Sequence, residues 1–275
     1  MTTDGRGPRV SVIMPVFDAG PFVTEALDSV AAQTYRDFEV VIVDDGSTES
    51  RTLAALDRVR SRPGVTVLRT ENHGPAAARN LAIERARGSY VLPLDADDYL
   101  APAFLARTVP VLDADPGVGV VYTWVGLVGS HHGVWRTGGF TLHELLTRCT
   151  IHVASLYRRE IWTDVGGYDG EDWDFWLGAV ARGWTGHGVP EVLAYYRRTP
   201  ASRELNARAP GVSARLMRSV VEKHRGLYEA NLEEALAGMY ERMSSAGIML
   251  ERIYDHPAVR ALLRLRALVR RAPAA

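Results

Sequence analysis

The sequence predicts an α/β fold built on a mainly parallel sheet and followed by a helical extension. Apolar, strand-like runs alternate with segments of helical length up to about residue 116, acidic turns follow two of these runs, and residues 203–271 have a helical pattern. Strands separated by helices favour parallel pairing with right-handed crossovers. A length of 275 residues allows one large domain with an appendage.

The first half contains four predicted strands, which are Val10–Val16, Phe38–Val43, Val65–Leu68 and Tyr90–Leu94. Their nearly continuous apolar character indicates a sheet covered on both faces. The helices between them begin after Pro21, cover Leu53–Arg60, and run from Pro75 to Ala86, where Gly88 stops the last one. Proline suits the first turn of a helix, and glycine suits its end.

The pattern changes after residue 116. Predicted strands are Val118–Trp124, Val134–Thr137, Ile151–Tyr157 and an edge strand Val192–Tyr196, with helices at Phe140–Arg148 and Glu171–Arg182. The turn Gly129–Gly133 joins the first two strands. We therefore expect a flexible N-terminus over 1–8, a domain over 9–200 with halves 9–115 and 116–200, and a helical extension over 201–275.

Composition excludes several classes of protein. Lys+Arg is 32 and Asp+Glu is 33, so no excess of positive charge favours a nucleic-acid partner. The single cysteine, Cys149, excludes an internal disulfide and a cysteine-based zinc site, and fits a reducing compartment. The N-terminal segment lacks an apolar run of signal-peptide length, and Gly117–Gly129 is too short to span a bilayer. A cytoplasmic protein is expected.

Aspartates follow two of the predicted strands. Ligands of parallel sheets bind beyond the carboxyl ends of the strands, which draws attention to Asp44, Asp45, Asp95 and Asp97. Carboxylates one residue apart suit Mg²⁺ or Mn²⁺, but aspartate is also common in capped turns, so both interpretations stay open. Arg79, in the first turn of its helix, could bind a phosphate or lie on a solvated helix face.

Ten segments then occur in a specific order. They are Val10–Asp18, Ala26–Val30, Gln33–Glu39, Val41–Thr48, Gly74–Asn80, Leu94–Asp98, Val165–Asp169, Glu171–Leu177, Val189–Glu191 and Tyr195–Arg198. Together they resemble the family 2 inverting glycosyltransferases of the GT-A fold, over about residues 9–200. The resemblance implies a nucleotide-binding, Rossmann-like sheet of the GT-A type.

The resemblance also implies an activity and its residues. A sugar would move from a UDP- or dTDP-sugar donor to an acceptor hydroxyl, with inversion and with Mn²⁺ or Mg²⁺ as cofactor. Asp172 would be the catalytic base, and Asp97, in the DXD motif of residues 95–97, would hold the metal. The nucleotide would contact Pro15, Phe17, Asp18, Asp45, Arg79 and Asp95.

Some assignments stay open. Asp172 and Asp174 lie two residues apart on one predicted helix and point roughly 200° apart, so both cannot serve one hydroxyl. The Glu-Asp pair of the family favours Asp172. Asp18 stands where the family often has Asn, and Thr199 stands where many relatives have His. The third metal ligand is therefore unassigned, with His187 as a weak candidate.

Two other functions compete with this one. A sugar nucleotidyltransferase would carry a Gly-rich basic loop after the first strand, whereas Pro15–Gly20 has no Lys or Arg. The other is a non-catalytic nucleotide- or sugar-binding module. The acceptor would be a polysaccharide, a lipid-linked sugar or a small metabolite, and the chain could form a homo-oligomer. The amphipathic tail Val259–Arg271 suits a peripheral contact with anionic membrane, or cover of an apolar strip on the domain or a partner, which we favour.

Overall fold

The structure, a computed structural model, describes residues 7–199 and 212–255. Contacts divide the chain into two compact units, residues 1–225 and 226–275. The predicted tail Val259–Arg271 and most of the predicted flexible N-terminus lie outside the described residues. The domain boundaries expected from the sequence stay predictions.

Within the described residues, the first unit contains a nine-stranded sheet. Its strands are β1 (Val10–Val16), β2 (Phe38–Asp45), β3 (Val65–Thr70), β4 (Tyr90–Pro93), β5 (Tyr99–Leu100), β6 (Val118–Gly129), β7 (Gly133–Trp135), β8 (Leu156–Arg158) and β9 (Thr185–Arg198). Their order across the sheet is β3-β2-β1-β4-β8-β6-β9-β5, and β7 pairs with β6.

Helices follow most of the strands. They are α1 (Phe22–Ala31), α2 (Ser50–Arg60), α3 (Pro75–Arg85), α4 (Phe104–Ala114), α5 (Leu142–Leu145), α6 (Arg159–Val165), α7 (Asp172–Ala181) and α8 (Val212–Lys223). Two more, α9 (Arg225–Ala230) and α10 (Leu232–Asp255), end the described chain. The predicted helical extension is thus present.

The first four strands pair in parallel. β1 pairs with both β2 and β4, and β2 pairs with β3. All seven residues of β1 are buried, because helices cover the apolar strands on both faces. The carboxyl ends of β1, β2 and β4 consequently lie at one edge of the sheet, as the sequence predicted.

The second half of the sheet is mixed. β8 runs antiparallel to β4 and β6, and β5 runs antiparallel to β9, whereas β9 pairs in parallel with β6. The predicted edge strand Val192–Tyr196 is part of β9, which is longer than expected and lies between β6 and β5. The two-residue β5 therefore occupies the edge instead. The predicted turn Gly129–Gly133 does join two antiparallel strands.

The predicted strand Ile151–Tyr157 is shorter than expected, and only its end forms β8. Local hydrogen bonds explain the difference: the Ala154 N–H donates to His152 Nδ1 at 3.2 Å, and the Ser155 hydroxyl donates to the His152 carbonyl oxygen at 2.7 Å. Such bonds compete with the hydrogen bonds of a strand ladder.

Aromatic side chains pack α7 against the sheet. Phe175 stacks on Tyr168, with ring centroids 4.1 Å apart, and lies 5.3 Å from the ring of Tyr157. Trp176 is fully buried beside Tyr157. Burial of these large rings fixes the face that α7 turns to the core.

The second unit contains most of α9 and all of α10. Tyr228 and Ala235 are buried, whereas α10 exposes Leu232, Leu236 and Tyr240. Among the described helices, none is both long enough and apolar enough to cross a membrane.

Candidate active site

Asp45 ends β2 and joins it to the start of α3. Its two carboxylate oxygens accept hydrogen bonds from the His73 N–H and the Gly74 N–H, each at 2.9 Å. Gly74 has φ +89°, a conformation that favours glycine. Asp45 therefore fixes the loop that leads into the helix of Arg79.

Asp44 binds the other side of the same turn. Its carboxylate accepts from the Ser47 N–H at 2.9 Å and from Arg69 Nη1 at 2.8 Å. Asp44 is buried, so these bonds compensate a charge removed from water. Of the two neighbouring aspartates, Asp44 thus has a structural role in the turn.

Three predicted nucleotide-binding residues, Pro15, Phe17 and Asp18, lie at the end of β1 or directly after it, and two of them are at the surface. Pro15 is buried in the strand, whereas Phe17 is 51% exposed. Asp18 has φ +42°, which is uncommon outside glycine. Its Oδ1 accepts from the N–H groups of Thr48 and Glu49 at 2.8 Å each, and these bonds lower the pKa of Asp18. Asp18 therefore fixes the two residues that precede α2.

Arg79 is buried and does not lie on a solvated helix face. Its side chain points into the site, where Nη2 donates to Asp95 Oδ1 at 2.6 Å. The Tyr168 ring lies 5.6 Å from the guanidinium carbon. Burial alone would lower the pKa of Arg79, but the charge of Asp95 raises it. Arg79 Nε is buried without a hydrogen-bond partner among the described groups.

The turn after β4 brings three carboxylates together. Asp98 is buried, accepts from the Arg197 N–H at 2.9 Å, and has Oδ2 3.4 Å from His152 Nε2. Burial raises the pKa of Asp98 well above its usual value, and the charges of Asp97 and Asp95 raise it further. Like charges this close repel unless a cation lies among them.

The donor set of this turn fits a divalent cation. Asp97 is partly buried, and Arg197 Nε donates to its carbonyl oxygen at 2.9 Å. Among the described residues, no group of three or more His, Cys, Asp or Glu could hold a metal by itself. Mg²⁺ characteristically uses one or two carboxylates together with substrate phosphates. His187 is exposed in β9 and joins no such group in the described chain.

Asp172 begins α7 and shares its surroundings with Arg79. Its Oδ1 accepts from the Trp173 N–H at 3.0 Å. Burial raises the pKa of Asp172 to about 6; the positive charge of Arg79 opposes the rise, and the charges of Glu171 and Asp95 add to it. The helix start therefore carries a carboxyl group that is more basic than an ordinary aspartate.

Asp174, two residues later, has the opposite environment. Its Oδ1 lies 2.7 Å from His224 Nε2, and its Oδ2 accepts from Lys223 Nζ at 2.7 Å. Burial by itself would raise the pKa of Asp174, but the hydrogen bonds from His224 and Lys223 lower it. The two aspartates that the sequence left undecided are thus clearly different in the structure.

Comparison with known proteins places the chain in a family. Residues 11–164, more than half of the chain, match the family model described as Glycosyl transferase family 2. The chain belongs to glycosyl transferase family 2. The predicted family is therefore confirmed, and the first unit carries a family 2 glycosyltransferase domain.

Two curated relatives resemble parts of this family 2 chain in sequence. An uncharacterized protein, y4gI of Sinorhizobium fredii (strain NBRC 101917 / NGR234), is 31% identical over 251 residues, which cover 80% of this chain and 26% of the relative. Poly(ribitol-phosphate) beta-N-acetylglucosaminyltransferase TarS of Staphylococcus aureus (strain Mu50) is 37% identical over 109 residues, or 38% of this chain and 19% of TarS. The chain spans less than a third of either relative.

Solved structures show a similar fold. S. aureus TarS 1-349 in complex with UDP-GlcNAc has a TM-score of 0.64 at 24% identity, covering 78% of this chain and 66% of that chain. Mannosyltransferase PcManGT from Pyrobaculum calidifontis, in complex with GDP-Man and Mn²⁺, has a TM-score of 0.61 at 22% identity, covering 96% and 85%. The predicted GT-A-type α/β fold is thereby confirmed.

Asn80 is a structural residue of this family 2 chain, next to Arg79, to which the sequence gave no role. Its Oδ1 accepts from Trp162 Nε1 at 2.9 Å and from the Tyr168 N–H at 2.8 Å, while its Nδ2 donates to the Tyr168 carbonyl oxygen at 2.8 Å. Asn80 thus ties α3 to the loop before α7. Asparagine inside a helix is a weak signal of such bonds, because its intrinsic helix propensity is low.

Lys223 and His224 were also missed. They lie about fifty residues from Asp174 in the sequence, in a segment that was predicted only as helical. The available signal was that Lys223 is the only lysine of the chain. A unique residue type does not by itself indicate a partner.

Proposed function

We propose that this chain is an inverting glycosyltransferase that moves a sugar from a UDP- or dTDP-sugar to an acceptor hydroxyl, with Asp172 as general base. The observation that carries the proposal is the contrast between two aspartates of α7. Asp172 has a pKa raised to about 6 beside the Arg79–Asp95 pair, whereas both oxygens of Asp174 are occupied by side-chain partners.

The carboxyl edge of the parallel strands is the proposed donor site. Phe17 offers an exposed ring for stacking on the base, with Pro15 and Asp18 beside it in the chain. Asp45 and Asp95 would accept from the base and the ribose, and Arg79 would lie near the nucleotide. Solved structures of similar fold hold UDP-GlcNAc and GDP-Man, which supports a nucleotide-sugar donor.

Asp97 is the proposed ligand of Mn²⁺ or Mg²⁺. The Mn²⁺ in the PcManGT structure supports this assignment, as does the preference of such ions for carboxylate oxygen. When bound, such an ion stabilises the charge that develops on the leaving diphosphate. The donor diphosphate would supply the remaining oxygen ligands, since the described chain has no complete metal site of its own.

The proposed base has a pKa suited to its task. A carboxyl group with a pKa near 6 is mostly ionised at pH 7, yet it is more basic than an ordinary aspartate. Asp172 would take the proton of the acceptor hydroxyl while that oxygen attacks the anomeric carbon, opposite the departing diphosphate. One carbon–oxygen bond forms as another breaks, so the configuration inverts and no covalent sugar–enzyme intermediate is needed.

Three classes of acceptor are proposed. A polysaccharide, a lipid-linked sugar or a small metabolite would each present the required hydroxyl. A cytoplasmic location is proposed because the single cysteine fits a reducing compartment.

The test combines product release with stereochemistry. Wild type and Asp172→Asn are incubated with UDP- and dTDP-sugars, Mn²⁺ and acceptors of the three classes, and free nucleotide diphosphate is measured. We expect wild type to release nucleotide diphosphate about 10²–10⁴-fold faster than the variant. NMR of the product should show that the anomeric centre of the transferred sugar is inverted. Glu160→Gln, at an exposed carboxylate of α6, is the matched control and should stay active.

Four outcomes would contradict the proposal. Near-normal turnover by Asp172→Asn would exclude that residue as base, and retained configuration would exclude a single displacement. Formation of nucleoside triphosphate from the UDP- or dTDP-sugar when pyrophosphate is added would indicate a nucleotidyltransferase. Donor binding without turnover for every acceptor class would favour a binding module.

A further inference from the structure

We propose that Lys223 and His224 are positioning residues that hold the first turn of α7, and with it the carboxylate of Asp172, by binding Asp174. The inference rests on the proposed role of Asp172. It assigns a function in catalysis to the end of α8, which belongs to the first compact unit although it follows the family 2 match by about sixty residues.

Each carboxylate oxygen of Asp174 has a short contact with a side chain at the end of α8. His224 Nε2 and Lys223 Nζ each lie 2.7 Å from a different oxygen of this carboxylate. Asp174 is only 5% exposed, so its charge depends on these two partners for compensation. Lys223 and His224 are consecutive residues at the carboxyl end of α8, where the helix dipole also favours positive charge.

Lys223 makes a second contact that brackets the proposed base. Its Nζ also donates to Asp169 Oδ2 at 3.1 Å. Asp169 lies in the loop before α7 and Asp174 lies in its first turn, so one ammonium group joins the chain on both sides of Asp172. A cross-link of this kind limits how far the start of the helix can move.

The glycine-rich backbone before α7 explains why a cross-link would be needed. Gly166, Gly167 and Gly170 all have positive φ, at +90°, +91° and +115°. Glycine loses more conformational freedom on folding than other residues, so this loop depends on contacts such as those of Asn80 and Lys223 to define the start of α7. A displacement of about 1 Å at a reacting group can lower a rate by about two orders of magnitude.

The test separates positioning from folding and from substrate contact. In Lys223→Ala/His224→Ala we expect kcat to fall at least tenfold, with the donor KM changed less than twofold, since the proposed donor site lies on other elements. Lys223→Arg should keep most of kcat, because it retains the positive charge. Arg218→Ala removes an exposed positive charge from the same helix and should match wild type.

A second measurement needs no substrate. Amide hydrogen exchange of residues 168–178 should be faster in the double variant than in wild type and in Arg218→Ala, while exchange in β1 and β2 stays unchanged. Combining the double variant with Asp174→Asn should cost no more kcat than the double variant alone, because Lys223→Ala/His224→Ala already removes the contacts through which Asp174 acts.

Unchanged amide hydrogen exchange over residues 168–178 would overturn the proposal that Lys223 and His224 tether the start of α7, even if kcat falls. A raised acceptor KM with unchanged exchange would instead show that Lys223 contacts the acceptor. If the double variant does not fold, His224→Gln and Lys223→Met, measured singly, decide the same question. Normal turnover of Asp172→Asn would be a failure of the proposed base, and the exchange data would still report whether the tether exists.

Discussion

Arg79 donates to Asp95 at 2.6 Å from a buried position, and its charge also acts on Asp172. One side chain of α3 therefore influences a carboxylate of the turn after β4 and the carboxyl group at the start of α7. The proposed donor site and the proposed base are thus electrostatically linked within the first unit.

The pH dependence of turnover should reveal the raised pKa of Asp172. A base must be ionised, so kcat/KM for the acceptor should be highest above pH 6 and should fall about tenfold per pH unit below it. Initial rates from pH 4.5 to 8.5 with saturating donor would measure this limb. An acid limb that stays flat down to pH 4.5 would contradict the assignment.

Removal of the Arg79 charge should move that limb to higher pH. Arg79 opposes the rise in the pKa of Asp172, so Arg79→Met should raise this pKa and lower turnover at pH 6 relative to pH 8 by at least about threefold. The pH–rate profile of the variant measures the effect. Arg85→Met, at an exposed position in the same helix, should keep the wild-type profile.

Asn80 should contribute to stability through its three hydrogen bonds. Asn80→Ala leaves the donors of Trp162 and Tyr168 without this acceptor, so the free energy of unfolding should fall by roughly 1–3 kcal/mol. Urea denaturation measures the change. Glu84→Ala, exposed on the same helix, should change stability by less than about 0.5 kcal/mol. Equal effects of the two substitutions would argue against the bonds.

Gly46 offers a test of crowding beside Asp45. Gly46 and Gly64 have similar positive φ, +82° and +77°, but a Cβ at Gly46 would lie 2.9 Å from the Asn72 backbone nitrogen, whereas one at Gly64 meets nothing within 4 Å. Gly64→Ala should cost about 1–2 kcal/mol of unfolding free energy from backbone strain alone. Gly46→Ala should cost about 1 kcal/mol more. Thermal and urea unfolding of both variants would show the difference, and equal losses would exclude the contact.

Much of the fold followed from local pattern. The first four strands and the turn Gly129–Gly133 were predicted because apolar runs, proline and glycine act over a few residues. Mixed pairing in the second half was not predicted, since strand direction depends on which distant strand offers a free edge. The short strand β8 also differed, because side chains near His152 bond locally instead of extending the ladder.

The sequence alone determined the parallel half of the sheet, the positions of the aspartates at its strand ends, and the family to which the chain belongs. Tertiary structure decided that Arg79 is buried against Asp95 and that Asp174, unlike Asp172, is bound by Lys223 and His224. The reason is physical: periodicity reflects the environment of neighbouring residues, whereas the charge state of a carboxylate depends on partners that folding brings from far along the chain.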